Sequence, residues 1–276
     1  LDLETSRTEA SGSTKERTIS TQWHPTFRLP ALITELGRTT GFTYDGAGNM
    51  LTKTVTDTAT SSARTWTYTY NSIGQVLTVD GPRTDVSDVT TYAYDSATGN
   101  LLSVTNAAGH ITQITSYDAN GRPLTVVDPN GLTTTLTYAP RGWLTSRKVG
   151  GETTIYDYDF AGQLTKVTLP DSSFLEYVYD PAHRLTEIHD NLGNKIVYTL
   201  DNMGNRTAEN VRDPGNNLAQ TRARVYNSLN RLIQDIGATN PATQITQYGY
   251  DNQGNLTTIT DALNHVTSNG YDALNR

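Results

Sequence analysis

The sequence contains no cysteine, which excludes disulfides, thiolate nucleophiles and cysteine-ligated zinc sites. It also lacks any run that approaches the roughly 18 apolar residues of a membrane-spanning helix. The net charge of −7 argues against a nucleic-acid-binding surface. We therefore predict no nucleic-acid partner and no membrane span in this segment, and the hydrophobic content of 35% predicts a thin core.

Tyrosine is abundant, with 16 residues against 4 phenylalanines and 3 tryptophans. Most tyrosines belong to a recurring phrase: Tyr-x-Tyr-Asp, two or three variable residues, Gly, then Asn, Arg or Gln and an apolar residue. Residues 248–256 are its clearest copy. About eleven copies follow one another at intervals of about 20–26 residues. Such a period predicts a repeat architecture.

Each copy predicts a β-hairpin. The two tyrosines, at i and i+2, share one face of a strand. Asp begins a tight turn by bonding to backbone two residues on, and Gly closes it at positive φ. The residues predicted to form this structural motif are Tyr44, Asp45, Gly48, Tyr68, Tyr70, Gly74, Tyr92, Tyr94, Asp95, Gly99, Tyr117, Asp118, Gly121, Tyr138, Gly142, Tyr156, Tyr158, Asp159, Gly162, Tyr177, Tyr179, Asp180, Asp201, Gly204, Tyr226, Tyr248, Tyr250, Asp251, Gly254, Tyr271 and Asp272.

Some copies depart from the phrase. Leu200 stands where the second tyrosine is expected, and His183, Asn230 and Asn275 stand in the glycine slot. A return arm of the type Leu-Thr-x-Val follows each turn, and its apolar spacing of three breaks strict alternation. Either a bulge lies in this arm or both faces of the sheet are partly buried.

A second turn follows each return arm, as in Asp190-Asn191-Leu192-Gly193-Asn194. A repeat thus holds two strands and two turns, with longer loops expected at 56–65 and 207–222. The predicted fold class is all-β: stacked antiparallel β-hairpins form one long sheet, which native twist coils into a spiral or partial hollow shell.

The repeated phrase resembles the Rhs repeat, also called the YD repeat. Residues 42–276 carry the resemblance, and residues 1–41 are predicted to be an extended lead-in packed on the first repeats. The start at Leu1 and the stop inside a repeat indicate a fragment of a longer chain. The family includes bacterial polymorphic toxins, often delivered by type VI secretion, and its repeats occur in insecticidal toxin complexes and teneurins. The resemblance implies a hollow β-shell that, in the toxins, encloses a C-terminal toxic domain.

The resemblance therefore implies a structural, non-enzymatic segment of a toxin shell, secreted or delivered out of a bacterial cell as part of a larger toxin. Its implied partners are the other repeats of the parent chain, the enclosed toxin domain and secretion-system proteins. The alternative function is a carbohydrate or cell-surface binding module built from the same repeats, with tyrosine rows that stack on sugars. We expect the tyrosine rings in those rows to pack against neighbouring strands instead of binding sugars.

Candidate chemistry is sparse, and we predict no catalytic residue, cofactor or metal. Asp128-Pro129-Asn130-Gly131-Leu132 resembles the family's self-cleavage phrase, but it fills a slot that other repeats use for a plain turn. Self-cleavage at Asp128 would make the chain an enzyme, a third and weaker hypothesis. The five histidines are scattered, and His183 and His189 would share a face only without a bulge.

Two further acidic patterns have structural explanations. The turns that begin at Asp201 and Asp251 offer oxygens for calcium but lack the 12-residue loop with its terminal Glu. Asp157 and Asp159 could form a glycosidase-like carboxylate pair. Alternation along a strand already explains that spacing.

Overall fold

A computed structural model describes residues 3–9, 12, 16–237, 244–272 and 275. Every regular element in that part of the chain is a β-strand. The strands are β1 Ser6–Glu9, β2 Arg17–Trp23, β3 Pro30–Glu35, β4 Arg38–Tyr44, β5 Met50–Asp57, β6 Ala63–Tyr70, β7 Val76–Asp80, β8 Thr90–Tyr94, β9 Leu101–Thr105, β10 Ile111–Tyr117, β11 Pro123–Val127, β12 Thr133–Tyr138, β13 Leu144–Val149, β14 Glu152–Tyr158, β15 Leu164–Thr168, β16 Phe174–Tyr179, β17 Leu185–Asp190, β18 Lys195–Leu200, β19 Arg206–Arg212, β20 Leu218–Tyr226, β21 Leu232–Ile236, β22 Ile245–Tyr250, β23 Leu256–Thr260 and β24 Val266–Ser268.

The chain divides into two compact units, Leu1–Thr134 and Thr135–Arg276. In the N-terminal unit, β1 to β11 pair consecutively and antiparallel. In the C-terminal unit, β13 to β24 do the same. The predicted all-β fold of successive antiparallel hairpins is confirmed.

Threonine and β-branched residues explain why these segments form strands. The arm Thr133-Thr134-Thr135-Leu136 is an example, because such side chains fit a pleated, half-buried surface. Within each unit, the described strands contact their sequence neighbours, as in a single layer. Accordingly, no described side chain is fully buried, and Asp235 is the buried polar residue.

One face of the layer is the drier one. In β6, Tyr68 and Tyr70 are half-buried, while Thr67 and Thr69 between and beside them are exposed. The same alternation recurs in β8 and β14. We call this side of each unit's sheet the tyrosine face.

The return arm contains a bulge. Tyr179 pairs with Leu185 and Val178 pairs with Glu187, so Thr186 is an extra residue without an opposite partner. The same register shift immediately precedes Leu200 in β18–β19 and the second tyrosine in other hairpins, such as β4–β5 and β22–β23. The arms are also half-buried along their length, as in β15 and β23. Both explanations of the irregular apolar spacing therefore hold.

The prediction of longer loops at 56–65 and 207–222 was wrong. The first interval contains a five-residue connection, 58–62, between β5 and β6. The second contains β19, the turn 213–217 and β20. The repeat period lengthens there because the strands are longer, up to 9 residues in β20.

The lead-in is described at 3–9, 12 and 16–41, whereas residues 1–2, 10–11 and 13–15 lie outside the described residues. Its loop after β2 contacts the first repeat. His24 stacks on Phe27 at 4.8 Å between ring centroids and meets the Tyr44 ring edge-on at 5.7 Å. The boundary between lead-in and repeats at 41/42 stays a prediction. In the described part of the chain, no helix is long and apolar enough to cross a membrane.

Candidate functional site

The tyrosine–aspartate turn is the feature around which each repeat is built. In its first copy, the Asp45 N–H donates to the Asn49 carbonyl at 2.9 Å, and the Gly48 N–H donates to the Asp45 carbonyl at 3.1 Å. Asp45 Oδ1 accepts the N–H groups of Ala47 and Asn49, both at 2.9 Å. Gly48 has a φ of 88°, a conformation that costs glycine little. One carboxylate thus satisfies two backbone N–H groups of the loop, and backbone carbonyls accept two others.

The turn carboxylates are held in their charged form by these bonds. The Asn49 side chain and its backbone N–H lower the pKa of Asp45, and the corresponding bonds from Arg184 lower the pKa of Asp180. Hydrogen bonds likewise lower the pKa of the other turn acids Asp57, Asp95, Asp118, Asp190, Asp201, Asp213, Asp251 and Asp261. Hydrogen bonds to the ionised form are the dominant cause.

The non-glycine residues of the closing slot take the same backbone conformation. His183, Asn230 and Asn275 have φ values of 63°, 58° and 59°. Asn tolerates this left-handed region better than most residues do. The His183 ring also reaches Gln163, with Nδ1 to Oε1 at 2.6 Å.

The second tyrosine ends every even-numbered strand from β4 to β22 except β18, which ends at Leu200. In most copies its hydroxyl donates to the carbonyl of the first residue of the preceding odd-numbered strand. Tyr179 binds the Leu164 carbonyl at 2.9 Å, and Tyr250 binds that of Leu232 at 2.8 Å. The same bond forms in the pairs Tyr44–Pro30, Tyr70–Met50, Tyr117–Leu101, Tyr158–Leu144, Tyr226–Arg206 and Tyr271–Leu256.

This hydroxyl bond ties each turn to its predecessor, because the accepting carbonyl lies directly after the previous turn. Burial of the ring raises the pKa of Tyr44, Tyr70, Tyr117, Tyr158 and Tyr179. The hydroxyl therefore stays protonated and remains a donor well into the alkaline range. We call the series of these bonds the hydroxyl ladder.

The residue that follows the turn glycine ties the turn to its successor. The Gln75 amide donates to the Gly99 carbonyl at 2.8 Å, and the Gln163 amide donates to the His183 carbonyl at 3.0 Å. Arg184 bonds both to its own Asp180, with Nε to Oδ2 at 2.7 Å, and to the Asp201 carbonyl at 2.8 Å. Asn, Gln or Arg is preferred in this slot because its N–H donors reach the side chain of its own turn, a carbonyl of the next turn, or both.

The Asp128 phrase forms an ordinary turn. The Asp128 N–H donates to the Leu132 carbonyl at 3.0 Å, and Asp128 Oδ1 accepts the N–H groups of Asn130 and Leu132 at 2.9 and 2.8 Å. The turn at Asp190 has the same bonds. The carboxylate of Asp128 is thus engaged with its own loop.

Local structure also explains the calcium-like turns and the Asp157/Asp159 pair. In Asp201, Oδ1 accepts the N–H groups of Met203 and Asn205, and Oδ2 accepts the Asn205 amide, all at 2.9 Å. Asp159 accepts two backbone N–H groups in the same way, whereas Asp157 is exposed within β14. Turn geometry accounts for Asp201 and Asp159, and the alternation of side chains along β14 accounts for Asp157.

The histidines do not converge. His183 lies in a turn and His189 in β17, with the bulge at Thr186 between them. His189 instead approaches Glu176, with Nε2 to Oε2 at 3.4 Å, and Glu176 also binds Lys166 at 2.8 Å. Among the described residues, no group of three or more His, Asp or Glu side chains could hold a metal ion. The absence of cofactor and metal stays a prediction.

Sequence reasoning missed the hydroxyl ladder and the bonds between successive turns. It treated the second tyrosine as a packing ring and left the slot after glycine unexplained. The signal was present: the slot after glycine holds a side chain with an N–H donor in most copies, as in Asn49, Gln75 and Arg122. A donor that recurs at the same position of successive turns indicates a matching acceptor in the neighbouring repeat.

Comparison with known proteins agrees with this architecture. Residues 37–208 match the Teneurin YD-shell family, and residues 226–266 match the RHS Repeat family. No curated protein matches the chain.

Several solved structures share the fold. The crystal structure of TcdB2-TccC3-Cdc42 has a chain that is 19% identical with a TM-score of 0.76, and the alignment covers 93% of this chain and 16% of that one. TcdB2-TccC3 without its hypervariable C-terminal region is 18% identical with a TM-score of 0.75, over 93% and 16% of the two chains. A Photorhabdus luminescens Tc holotoxin pore with a substituted TccC3 is 19% identical with a TM-score of 0.73, over 91% and 15%. The chain thus spans about one sixth of the length of these structures.

Proposed function

Because the chain belongs to the Teneurin YD-shell family, we propose that it is a structural segment of an Rhs toxin shell that encloses a C-terminal toxin domain. In this proposal the segment is a wall and performs no chemistry. The parent protein is a bacterial toxin delivered out of the cell, for which type VI secretion is one route. Its partners are the neighbouring repeats, the enclosed domain and the delivery machinery.

One observation carries the proposal: polar side chains of a repeat bond to the repeats on either side of it. Tyr179 bonds backward to the carbonyl of Leu164, and Arg184 bonds forward to that of Asp201. A side chain committed to its neighbour contributes to continuity and is less available to a ligand. These bonds favour a continuous wall over a set of separate binding modules.

The same bonds weigh against the carbohydrate-binding alternative. A tyrosine that stacks on a sugar needs an accessible ring. The second-position rings are half-buried at the strand ends, with hydroxyls bound to backbone, as in Tyr70 and Tyr250. A glycan array probed with this chain tests the alternative. Saturable binding that is lost when exposed tyrosines are replaced would favour it over the wall.

Protease protection tests the proposal. The full open reading frame that contains this chain would be expressed, and its C-terminal region would be followed by limited proteolysis. We expect that region to resist a protease that rapidly digests the same region expressed alone. Mild denaturant, which opens the sheet, should abolish the protection. Equal digestion of the enclosed and isolated regions in native buffer would contradict enclosure.

A further inference from the structure

The hydroxyl ladder is broken at Leu200. At this position, the last residue of β18, the other repeats place the second tyrosine. The register is otherwise unchanged, since Leu200 pairs with Arg206 just as Tyr179 pairs with Leu185. By the rule of the ladder, the missing hydroxyl would bind the carbonyl of Leu185, the first residue of β17. Leucine has neither the ring nor the donor to reach it.

A pocket of about 450 Å³ lies at this break in the C-terminal unit. Leu185, Leu200 and Gly204 contribute to its lining, together with the guanidinium-bearing side chains of Arg184, Arg206 and Arg224. A cluster of three arginines is unusual in a chain with a net charge of −7. The loss of one aromatic ring therefore coincides with a local concentration of cations.

Two of these arginines are partly engaged. Arg184 binds Asp180, with Nη2 to Oδ2 at 2.7 Å, and also the Asp201 carbonyl. The guanidinium of Arg206 lies 3.6 Å from the centroid of the Tyr198 ring and reaches Glu209 at 3.3 Å. A guanidinium has five N–H donors, so these contacts leave donors available in both residues.

Arg224 is the least engaged of the three. Its opposite residue across β20 and β21 is Asp235, but that carboxylate is bound by Arg222, with Nε to Oδ1 at 2.7 Å and a second bond from Nη2 to Oδ2. No described residue forms a hydrogen bond or ion pair with the Arg224 guanidinium in the structure. Of the acids near the cluster, Asp180, Glu209 and Asp235 each have an arginine partner, and the Asp201 carboxylate is bound by Asn205. Asp235 also attracts Arg224 electrostatically, across the strand pair.

We propose that this pocket is a binding site for a small ligand that carries an oxyanion, a phosphate or a carboxylate. Planar guanidinium groups bind such groups through paired, charge-assisted hydrogen bonds. The leucine floor and the space of the absent tyrosine ring accommodate an apolar ring beside the anion. This site is independent of the proposed wall function, because it arises from the one described repeat in which leucine replaces the second tyrosine.

Calorimetric titration of the 276-residue chain with phenyl phosphate, benzoate and phenol at constant ionic strength tests the proposal. At least one of the two anions should bind saturably with a stoichiometry of one, and comparison of the two separates phosphate from carboxylate. Phenol has the ring without the oxyanion and should bind much more weakly. Absence of saturable binding by both anions, or equal binding of phenol, would overturn the proposal.

Two substitutions locate the site. Leu200→Tyr restores the residue of the other repeats and should abolish binding by filling the pocket, while the ladder bond to Leu185 keeps the fold intact. Arg224→Gln should weaken binding about tenfold or more, through loss of a charge-assisted bond. Arg147→Gln, an exposed arginine on β13 of the same unit, is the control and should leave affinity unchanged. Unchanged affinity in both pocket variants, with native circular dichroism, would refute the assignment.

Discussion

Replacing Gly162 with alanine tests how closely successive turns pack. Gly162 closes the turn after β14 at a φ of 91°. A Cβ at this position would lie 2.6 Å from Cζ2 and 2.9 Å from Cε2 of Trp143, the residue that follows the preceding turn glycine. The indole has little room to move, because its ring lies against Tyr158 with 5.4 Å between ring centroids. The substitution therefore adds a steric clash to an unfavourable backbone conformation.

Gly204 provides a matched control in the same unit. It closes an equivalent turn at a φ of 89°, but a Cβ there would be 3.9 Å from the nearest atom, Cδ of Arg184. Gly204→Ala should cost about 1–2 kcal/mol, the penalty for a left-handed non-glycine residue. Gly162→Ala should cost a further 1–3 kcal/mol or so for overpacking. The difference between the two variants measures the clash alone.

Urea unfolding followed by far-UV circular dichroism would report the free energies, and amide hydrogen exchange in β14 and β15 would report local opening. Exchange is needed because repeat proteins often open locally before they unfold globally. Trp143→Leu in the Gly162→Ala background should remove most of the difference, as a double-mutant cycle. Equal destabilisation by Gly162→Ala and Gly204→Ala, within about 0.5 kcal/mol, would refute close packing of the turns.

Three other predictions concern the ladder and the turn acids. Tyr179→Phe should lower the free energy of unfolding by about 0.5–1.5 kcal/mol through loss of the Leu164 bond. Tyr177→Phe should change it less, since the structure gives the Tyr177 hydroxyl no bond within the described residues. Tyr179→Ala should cost more, up to roughly 3 kcal/mol, the lower end for a core aromatic, because the ring is half-buried; a change near zero would refute ring packing. Hydrogen bonds lower the pKa of turn acids such as Asp45 and Asp201 in the folded state. The stability that these acids contribute is therefore complete above the unfolded pKa of about 3.9 and should be lost as pH falls through the folded pKa. Urea midpoints that stay constant from pH 5 to about pH 2 would contradict this. Burial raises the pKa of Tyr179. The stability that Tyr179 contributes to the fold is therefore complete below the unfolded pKa of about 10 and should decline as pH rises through the folded pKa. An ultraviolet titration in which all tyrosines ionise as free phenol does would contradict this.

The turns could be predicted from sequence because their chemistry is local. Asp180 and His183 belong to one loop, and the bonds that define the turn close within five residues of chain. Because the same turn recurs at a regular interval, one local inference was enough to predict the fold class. Hairpin pairing followed because short turns leave adjacent strands no other partner.

The bonds between repeats could not be predicted in the same way. The acceptor of the Tyr179 hydroxyl is 15 residues away, and its position depends on the bulge at Thr165, the equivalent in β15 of the one at Thr186. Sequence left that bulge as one of two alternatives. A shift of one residue moves a side chain to the other face, so the register had to be known first.

The errors at 56–65 and 207–222 share a physical cause. Both expectations came from the longer repeat interval, which longer strands can fill as well as longer loops. In the second interval, Glu209, Asn210 and Gln220 are polar residues that carry no strand signal of their own. In β19 and β20 they lie in strands of a single layer, where both faces remain partly accessible to water. Polarity is a weak loop signal in such a sheet, because strand formation there does not require a dry face.

The placement of the hydroxyl ladder makes the repeat a transferable unit. Each second tyrosine needs only the carbonyl that opens the preceding strand, and every return arm supplies one at the same distance from its turn. Removal of residues 159–179 would join Tyr158 to Asp180 and so reconstitute an intact Tyr-Asp junction, with Leu144 still accepting the Tyr158 hydroxyl. Unequal recombination between two copies can therefore shorten or lengthen the array by whole hairpins without leaving a donor or acceptor unmatched. Array length is free to vary in evolution while the local chemistry of every remaining turn stays the same.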